Sequence, residues 1–554
     1  MSKLIATTKL LNYVNNDSII DYLDIKKRKG INYTLDTSNA NFNNNKKIKQ
    51  SSFDYIMSDG LEFEEQILND IMIKMNIHND KFIVLDYNIV KEGYVLTKKT
   101  ILSKKYDLIM NSLLIDYDLG IFGKPDLIVT GKWIKKYILN FNINIDNDKY
   151  YIIDIKSSTL QLINNGKTLS NSLDYKYYKG QILIYKNMLE KLLRYKNNNY
   201  GFIISKKYSY VKNNNIVILN SFDTICTIDF SNENELIKQI NNSIDWNKNI
   251  LPNIWTKINV HNITDERFMP NMKNKYDGIY KNDKHNISNI NKEITLLWYC
   301  GIKQRELCIK KNIYRYDDVK LTPEILGFDK KCAKYNIIKN MLKMVHSTNY
   351  IDIPKQNNVL NWRTINDNEF YIDFETYNYD NNDVLYLIGI GNFKNKWNYK
   401  KFVLNNHIYN NGYDNEHELI NGVVDYIKTN NIERLIHWSN AEKNIIHKKF
   451  NGGITTDLLF DLMKVFNDNK NPIIIKECFG FGLKSILKKL NEYKLVKFKW
   501  NSFDDGLLTS FIARDIYNKK INDKKLFNNI IKYNEIDCKA LYTLLKFIRN
   551  IQKN

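Results

Sequence analysis

Residues 123–129 read Gly-Lys-Pro-Asp-Leu-Ile-Val and residues 150–157 read Tyr-Tyr-Ile-Ile-Asp-Ile-Lys-Ser, and these two stretches decide the fold of the first part of the chain. Each contains a short run rich in β-branched and aromatic residues, and the segment between them ends in the polar residues 146–149. We therefore predict a β-hairpin. Side chains alternate between the faces of a strand, which puts Asp154 and Lys156 on one face. With Asp126, two acids and a lysine then lie at one edge of the sheet.

Two carboxylates and an ammonium group at one edge suit the hydrolysis of phosphodiester bonds with a divalent metal. Mg²⁺ and Mn²⁺ take oxygen ligands, so we expect Asp126, Asp154 and the backbone carbonyl of Ile155 to hold one or two ions against the scissile phosphate. Lys156 would orient the attacking water or offset the charge that develops on the phosphate. An Asp-x-Lys triplet alone is not diagnostic, because charged residues usually form a solvated strand face.

The order of these motifs resembles the PD-(D/E)XK nuclease superfamily, in its RecB-like and lambda-exonuclease-like branch. In this resemblance Asp126 is the acid of the second motif, and Asp154, Ile155 and Lys156 form the third. The family's fold implies a restriction-endonuclease-like domain, and its activity implies a nuclease that depends on Mg²⁺ or Mn²⁺.

Two further motifs of that branch have counterparts in the sequence. Gln181 and Tyr185 match its Gln-x-x-x-Tyr motif and share one face of a predicted helix. Residues 60–64 match Gly-x-x-x-Glu, which implies that Glu64 is a further metal ligand. We predict a helix over residues 61–75, with Glu64 close to its start and an apolar side made of Leu61, Ile67, Leu68, Ile71 and Met75.

Length and charge indicate the number of domains and the class of partner. A chain of 554 residues exceeds what one hydrophobic core organises, so we expect two or three domains. Its formal net charge of +21 favours a polyanionic partner and fits nucleic acid, and the nuclease resemblance implies double- or single-stranded DNA. The abundance of Asn, Ile and Tyr is typical of an A+T-rich coding sequence, which also inflates the lysine content. The basic residues 41–49 are expected to be a solvated loop.

Cysteine and histidine usage predicts which other groups are absent. The six cysteines form no Cys-x-x-Cys pair and no secretory leader is recognised, so we expect reduced thiols in a cytoplasmic compartment. CRISPR-associated RecB-like nucleases commonly hold an iron-sulfur cluster with one cysteine before the nuclease motifs. No cysteine precedes Cys226, so we expect no such cluster. The histidines show no zinc spacing, and no apolar run reaches the roughly 18 residues of a membrane span, so we expect a soluble protein without membrane contact.

The last third of the chain carries a second set of acids. A predicted strand at residues 369–376 places Asp373 and Glu375 on one face. Tyr533 and Asp537 lie one helical turn apart near the C-terminus. The other predicted elements are strands at residues 384–391, 400–404 and 434–438, a helix at residues 416–427 and a helix that begins at residues 440–442.

This second pattern resembles the RNase H-like domain of the DEDDy exonucleases. The resemblance implies that Tyr533 positions the attacking water and that two metal ions bind to Asp373, Glu375, Glu442 and Asp537. There is one departure, because the family more often has Asp where this chain has Glu442. Asp461 and Lys484 are interpreted as structural residues of the same domain.

Together these patterns predict an α/β protein with mixed sheets. We expect a PD-(D/E)XK nuclease domain at residues 1–250, a helical connector at residues 251–360, and an RNase H-like 3'–5' exonuclease-type domain at residues 361–554. The expected function is a deoxyribonuclease that acts on DNA ends, with single-strand cleavage as a second mode, and relatives imply a homo-oligomer. Two alternatives stay open: a DNA-binding or scaffolding protein with degenerate nuclease folds, and a nuclease active only through its C-terminal site.

Overall fold

The structure, a computed structural model, describes residues 4–30, 51–172, 175–194, 199–379, 382–405, 414–500 and 505–551. The basic stretch at residues 41–49 lies outside the described residues. Helices and mixed sheets alternate along the chain, which confirms the prediction of a mixed α/β protein. The chain divides into two compact units, the first made of Met1–Ala40 and Ile56–Asn291 and the second of Asn41–Tyr55 and Lys292–Asn554.

The first unit is built on a mixed seven-stranded sheet, with a small three-stranded sheet beside it. Its strands are β1 (Ile5–Ala6), β2 (Phe82–Val84), β3 (Leu108–Met110), β4 (Leu114–Asp116), β5 (Ile121–Gly123), β6 (Leu127–Thr130), β7 (Tyr150–Gln161), β8 (Tyr200–Lys212), β9 (Asn215–Asn220) and β10 (Cys226–Asp229). The large sheet has the order β10-β8-β7-β6-β3-β2, with β9 paired to β8, and the small sheet has the order β1-β5-β4.

Helices cover both faces of the large sheet. They are α1 (Thr7–Val14), α2 (Ile19–Arg28), α3 (Ser52–Ile77), α4 (Val90–Ser103), α5 (Gly131–Tyr137), α6 (Lys176–Leu193), α7 (Asn234–Asp245), α8 (Leu251–Ile254) and α9 (Lys281–Ile290), with the first residues of α3 counted in the second unit. One core cluster contains Ile152 and residues of α6, while the opposite cluster contains Ile153, Ile155 and residues of α3. Asp154 shares the strand face of Ile152 and is therefore on the α6 side.

The predicted antiparallel pairing of residues 127–130 with residues 150–157 is confirmed. β6 runs antiparallel to β7, with Leu127 opposite Ile153, and β8 then joins β7 in parallel, with Ile203 opposite Asp154. The pair is not a tight hairpin, because the connection contains α5. This helix forms because the Thr130 side chain caps it by accepting from the Trp133 N–H and because Trp133 is buried.

The helix that carries Glu64 is longer than predicted. It begins at Ser52 rather than at residue 61, because the Ser51 backbone N–H and hydroxyl donate to the Asp54 carboxylate and the Asp54 N–H donates to the Ser51 hydroxyl. Glu64 is thus in the middle of α3 and not close to its start. Ile67, Ile71 and Met75 are buried as predicted, whereas Leu61 is 64% exposed.

The exposure of Leu61 does not follow from the pitch of the helix. At about 100° per residue, Leu61 and the buried Met75 lie only about 40° apart around the axis, so pitch alone would place Leu61 on the apolar side of α3. The residues of α3 that pack on the core of the first unit begin at Phe63, so Leu61 lies before the part of the helix that this core covers.

The second unit contains a five-stranded sheet in the order β14-β13-β12-β15-β16 and a two-stranded sheet, β11-β17. The strands are β11 (Ile351–Asp352), β12 (Glu369–Tyr379), β13 (Asn382–Phe393), β14 (Trp397–Val403), β15 (Arg434–His437), β16 (Leu459–Asp461) and β17 (Ile474–Ile475). β12, β13 and β14 are antiparallel neighbours, while β15 is parallel to β12 and β16 is parallel to β15.

The helices of the second unit include the short ones expected in the connector. They are α10 (Ile302–Ile309), α11 (Tyr335–Val345), α12 (Asp414–Thr429), α13 (Asn440–Lys449), α14 (Met463–Phe466), α15 (Leu483–Glu492), α16 (Gly506–Tyr517) and α17 (Lys524–Ile551). Of the connector, residues 251–291 are counted with the first unit and residues 292–360 with the second. The three-part division of the chain stays a prediction. Across the described ranges, no helix is both long and apolar enough to cross a membrane.

The long helix α17 approaches β13 closely. A Cβ atom added at Gly389 would lie 1.8 Å from the Asn534 amide oxygen, so only glycine leaves room for this side chain. Cys538 on the same helix is fully buried and its thiol donates to the Gly389 carbonyl at 3.4 Å. This close packing fixes the helix on which Tyr533 and Asp537 lie.

A fully buried lysine connects several polar groups at the end of the first unit. Lys284, on α9, is 0% exposed, and its ammonium group contacts the Asp17 carboxylate at 3.0 Å and the Asp277 carboxylate at 2.9 Å. It also donates to the backbone carbonyls of Asn271 and Asn274, both at 3.1 Å. A buried charge is tolerated only when it is paired and hydrogen-bonded, and these four partners supply that compensation.

We predict that Lys284→Met destabilises the protein by about 3–5 kcal/mol, because it leaves a buried carboxylate without its positive partner. Lys281→Met, on an exposed turn of the same helix, should change the free energy of unfolding by less than about 0.5 kcal/mol. Urea unfolding of the full chain measures both effects. Equal losses in the two variants would contradict the role assigned to the buried ammonium group.

Candidate active sites

The first candidate site gathers the predicted residues of the first unit. Glu64 lies on α3, Asp126 directly before β6, and Asp154 and Lys156 on one face of β7. Asp126 is held against β7, because its carboxylate accepts from the Ile155 N–H at 2.6 Å. This contact uses the N–H of Ile155 and not its carbonyl. The assignment of the Ile155 carbonyl as a metal ligand therefore stays a prediction.

Asp154 is the most buried acid of this site. Its exposure is 0%, and one carboxylate oxygen contacts the Lys156 ammonium group. The other oxygen, Oδ1, has no hydrogen-bond partner among the described residues. A buried carboxylate oxygen without a partner costs free energy, and a cation at this position would remove that cost.

Electrostatic coupling indicates that the four groups are close together. Burial raises the pKa of Asp126 well above its ordinary value, and the charges of Asp154 and Glu64 raise it further, against the opposing effect of Lys156. Burial and Asp154 likewise raise the pKa of Glu64. Burial disfavours the charged form of Lys156, but the carboxylates of Asp154 and Asp126 outweigh it and raise the pKa of the lysine. These shifts place Glu64 within the electrostatic reach of the β7 pair.

Gln181 and Tyr185 on α6 complete the first site. The Gln181 amide donates to the Tyr185 hydroxyl at 3.1 Å, and burial together with the charge of Asp154 raises the pKa of Tyr185 to about 12. The Tyr185 ring packs on β5, where a Cβ atom at Gly123 would lie 2.3 Å from it. The Gly123 that opens the first motif therefore serves this close approach.

The second candidate site is more compact. Asp373 and Glu375 on β12 and Asp537 on α17 each offer a carboxylate oxygen, and these atoms all lie within 4.8 Å of one another. Oxygen ligands about 2.1 Å from an Mg²⁺ ion are at most about 4.2 Å apart, so the spacing is close to what such an ion requires. Within the described part of the chain, this is the group of acids that meets this spacing.

Neighbouring side chains orient this triad. The Asn534 amide donates to the Asp373 carboxylate at 2.7 Å, and the Trp500 indole donates to the Asp537 carboxylate at 2.6 Å. Neither residue was predicted from the sequence, although Asn534 lies inside the motif that contains Tyr533 and Asp537. Nothing in the sequence pattern marked Trp500.

Lys484 was interpreted as structural, but its ammonium group lies at the second site. It donates to the Tyr533 hydroxyl at 2.5 Å. Burial raises the pKa values of Asp373, Glu375 and Asp537, and the charge of Lys484 opposes that rise without overcoming it. Lys484 is in the first turn of α15, after a glycine-rich segment, and this was the only signal available in the sequence.

Glu442, the predicted fourth metal ligand, lies outside the compact triad. It is buried in the first turn of α13, and its Oε2 atom is 3.6 Å from the Nδ1 atom of His437. Asp461 is also buried, and its carboxylate accepts from the backbone N–H groups of Ser439 and Met463. Burial raises the pKa of Glu442, and the negative charge of Asp461 adds a smaller increase. The two acids therefore interact electrostatically.

The triad carries more negative charge than its surroundings compensate. Burial and the charge of Asp537 raise the pKa of Glu375 to about 8, and burial with the charge of Glu375 raises the pKa of Asp373 well above its ordinary value. Burial raises the pKa of Asp537 as well. Without a bound cation, Glu375 is therefore mostly protonated at neutral pH, and protonation of Asp373 and Asp537 becomes easier.

No family model matches the chain, and no curated protein matches it either. The assignment of a function to the two sites therefore depends on their geometry.

The raised pKa of Glu375 predicts a pH-dependent effect on stability. The folded pKa of about 8 exceeds the ordinary value of 4.5, so the stability contributed by the protonated group is complete below pH 4.5 and is lost as the pH rises toward 8. Glu375→Gln keeps this position neutral at every pH. In the presence of a chelator, we expect its melting temperature relative to the unsubstituted protein to increase across that window, by about 1–2 °C for each kcal/mol gained.

Thermal melting with Glu433→Gln provides the matched control. Hydrogen bonds from Asn366 and Asn368 lower the pKa of Glu433, so this variant should show no gain at alkaline pH. A difference between Glu375→Gln and the unsubstituted protein that does not change with pH would contradict the electrostatic account of the triad.

Proposed function

We propose that this chain is a metal-dependent deoxyribonuclease with two candidate active sites. The first is of the RecB-like PD-(D/E)XK type, and the second is of the RNase H-like DEDDy type. The observation that carries the proposal is the fully buried Asp154 carboxylate, with one unpartnered oxygen, next to the Lys156 ammonium group and in electrostatic contact with Asp126 and Glu64. A set of oxygen ligands beside a cationic side chain is what metal-assisted phosphodiester hydrolysis requires.

The topology of the first unit supports the first assignment. β3, β6 and β7 form an antiparallel series, α6 follows, and β8 joins β7 in parallel. A helix before three antiparallel strands, then a helix and a parallel strand, resembles the core of restriction-endonuclease-like folds.

The topology of the second unit supports the RNase H-like assignment in the same way. Its three antiparallel strands are followed by two parallel ones, and the first strand, β12, lies in the middle of the sheet. This order resembles the RNase H-like fold, in which that strand carries the first pair of acids. Here it carries Asp373 and Glu375.

The donor sets of both sites fit Mg²⁺ or Mn²⁺. Asp154, Asp126 and Glu64 would hold an ion in the first site, and Asp373, Glu375 and Asp537 would hold one in the second, with Glu442 as a candidate for a further ion. Once bound, such an ion supplies a Lewis acid for the phosphate and lowers the pKa of a coordinated water.

The raised pKa of Lys156 indicates that this residue acts as a positively charged hydrogen-bond donor. Its ammonium group stays protonated at neutral pH, so it donates hydrogen bonds and positive charge and does not accept a proton from water. Lys156 therefore orients the water or stabilises the negative charge on the phosphate. Tyr533 also stays protonated, because burial and three nearby acids raise its pKa, and it acts through the hydrogen bonds of its hydroxyl group.

A nuclease active only through its C-terminal site is the second candidate. The observation that favours it is the compact spacing of the Asp373, Glu375 and Asp537 carboxylates. Variants of each site separate the two candidates.

We predict that the chain degrades linear DNA with Mg²⁺ or Mn²⁺ and not with excess chelator. Asp154→Asn and Lys156→Met should each reduce the rate by at least about a hundredfold, because each removes a group that contacts the ion or the phosphate. Asp265→Asn is the matched control, since Asp265 is an acid of the same unit that pairs with Arg267.

Each outcome of this assay has a distinct meaning. Full activity of Asp154→Asn together with loss of activity in Asp373→Asn would favour the second candidate. Absence of cleavage under all conditions, with DNA binding retained, would overturn both candidates in favour of a binding protein. Equal rates on linear and closed circular duplex DNA would exclude action on DNA ends.

We also predict that Lys484 positions Tyr533. In an Asp154→Asn background, Lys484→Met should lower the remaining activity by about 10- to 100-fold, the range typical of residues that orient a catalytic group. Lys484→Arg should recover part of the rate, because it keeps a charged donor toward the Tyr533 hydroxyl. Cleavage rates measured across pH, with melting curves of each variant, test this role. A loss that Lys484→Arg does not recover, in folded protein, would contradict it.

A further inference from the structure

Four tyrosines gather beside Lys156 in the first unit. Tyr175, Tyr177 and Tyr178 lie at the start of α6, and Tyr276 comes from the segment before α9. Tyr177 and Tyr276 stack with ring centroids 4.3 Å apart and planes 15° apart, while Tyr178 meets Tyr276 at 6.0 Å, edge to face. We call these four residues the tyrosine cluster. All four residues are half-buried, so each keeps part of its surface accessible.

The tyrosine cluster continues the helix face that forms the first site. Tyr177 and Tyr178 precede Gln181 by four and three residues, and Gln181 precedes Tyr185 by four. Side chains three and four residues apart lie on the same side of a helix. The face of α6 that carries Gln181 and Tyr185 toward the acids therefore carries tyrosines one turn nearer its N-terminus.

Lys156 connects the cluster to the first site. Its ammonium nitrogen lies 5.3 Å from the centroid of the Tyr178 ring, within the range of a cation–π contact, and contacts the Asp154 carboxylate. Burial raises the pKa of Tyr177, and the charges of Lys156 and Asp154 act on it in opposite directions. The rings are thus neighbours of the groups proposed to bind the scissile phosphate.

We propose that the tyrosine cluster binds unpaired bases of a single DNA strand, next to the phosphate contacted by Lys156. This inference depends on the proposed nuclease function of the first site and adds the class of substrate: an unpaired strand or a frayed end, not an intact duplex.

The chemistry of stacking supports this choice of ligand. Every base has a π face that can stack on a tyrosine ring, and such contacts are largely independent of sequence. In a duplex both faces of an internal base are already stacked on neighbouring bases, so an internal base cannot add to the Tyr177–Tyr276 stack. A terminal base pair exposes one face only, whereas an unpaired base can expose both. A cationic group binds the phosphate backbone, and aromatic rings beside it stack on the bases, so the two together bind a single strand. The net charge of +21 favours the same polyanionic ligand.

The competing explanation is that the rings only cover the core. Tyr175, Tyr177 and Tyr178 do pack against the core cluster on the α6 side of the sheet. In that case, their removal would lower stability without changing DNA binding.

The test measures binding separately from cleavage. The probe is a single-stranded oligothymidylate with a fluorescent adenine analogue at its end, titrated with the full chain carrying Asp154→Asn. If the terminal base stacks on tyrosine, its fluorescence is quenched on binding. Tyr178→Ala and Tyr177→Ala should weaken binding between about fivefold and a hundredfold and reduce the quenching. Tyr178→Phe should preserve both, because it keeps the ring.

Two further variants control for folding and location. Tyr178→Leu keeps apolar volume but removes the ring, and it replaces Tyr178→Ala if the latter unfolds in melting curves. Tyr117→Ala removes a tyrosine of the same unit that is 54% exposed and lies outside the cluster, so it should bind the probe normally.

The outcomes distinguish this proposal from the nuclease proposal. An unquenched terminal base in the Asp154→Asn protein, or unchanged affinity in the folded Tyr177 and Tyr178 variants, would overturn the role of the cluster and leave the nuclease proposal intact. Tighter binding of a blunt duplex than of the single strand would overturn it too. If the quenching depends on the tyrosines but the unsubstituted chain never cleaves DNA, the nuclease proposal alone would be refuted.

Discussion

Burying carboxylates without matching positive charge costs free energy, and both candidate sites of this protein depend on that constraint. In the first, Asp154 has no solvent exposure, and Lys156 is the one cation among the described residues that pairs with it. In the second, burial and mutual repulsion raise the pKa values of Asp373 and Glu375. A fold selected for stability alone would place neutral side chains at these positions. A divalent cation coordinated by the same oxygens would reverse the sign of the interaction, and for this reason we propose both clusters as metal sites.

The scaffold brings these acids together by close backbone approaches. Gly123 lets the Tyr185 ring pack against β5, and Gly389 lets Asn534 pack against β13. In each case a helix that follows the central strands packs closely on a strand, and a polar residue of that helix lies near the acids. The two units have different topologies but use the same physical device, a helix held against a strand where a Cβ atom would not fit.

Several local features of the candidate sites could be predicted from the sequence because they depend on short-range periodicity. The alternation of Asp154 and Lys156 with apolar neighbours defined a strand face, and the spacing of Gln181 and Tyr185 defined a helix face. The β6–β7 pairing was predicted correctly for the same reason. The start of α3 was not, because the residues that cap it lie well before the apolar pattern begins.

The sequence by itself therefore determined the strands and helices on which the acids lie and the pairing of β6 with β7. Only the tertiary structure decided which side chains meet. Lys484 contacts Tyr533, and Trp500 contacts Asp537, from segments far apart in the chain. Glu442 lies beside His437 and outside the compact triad. Periodicity describes neighbours within one element, whereas contacts between elements depend on packing and burial, which no local pattern specifies.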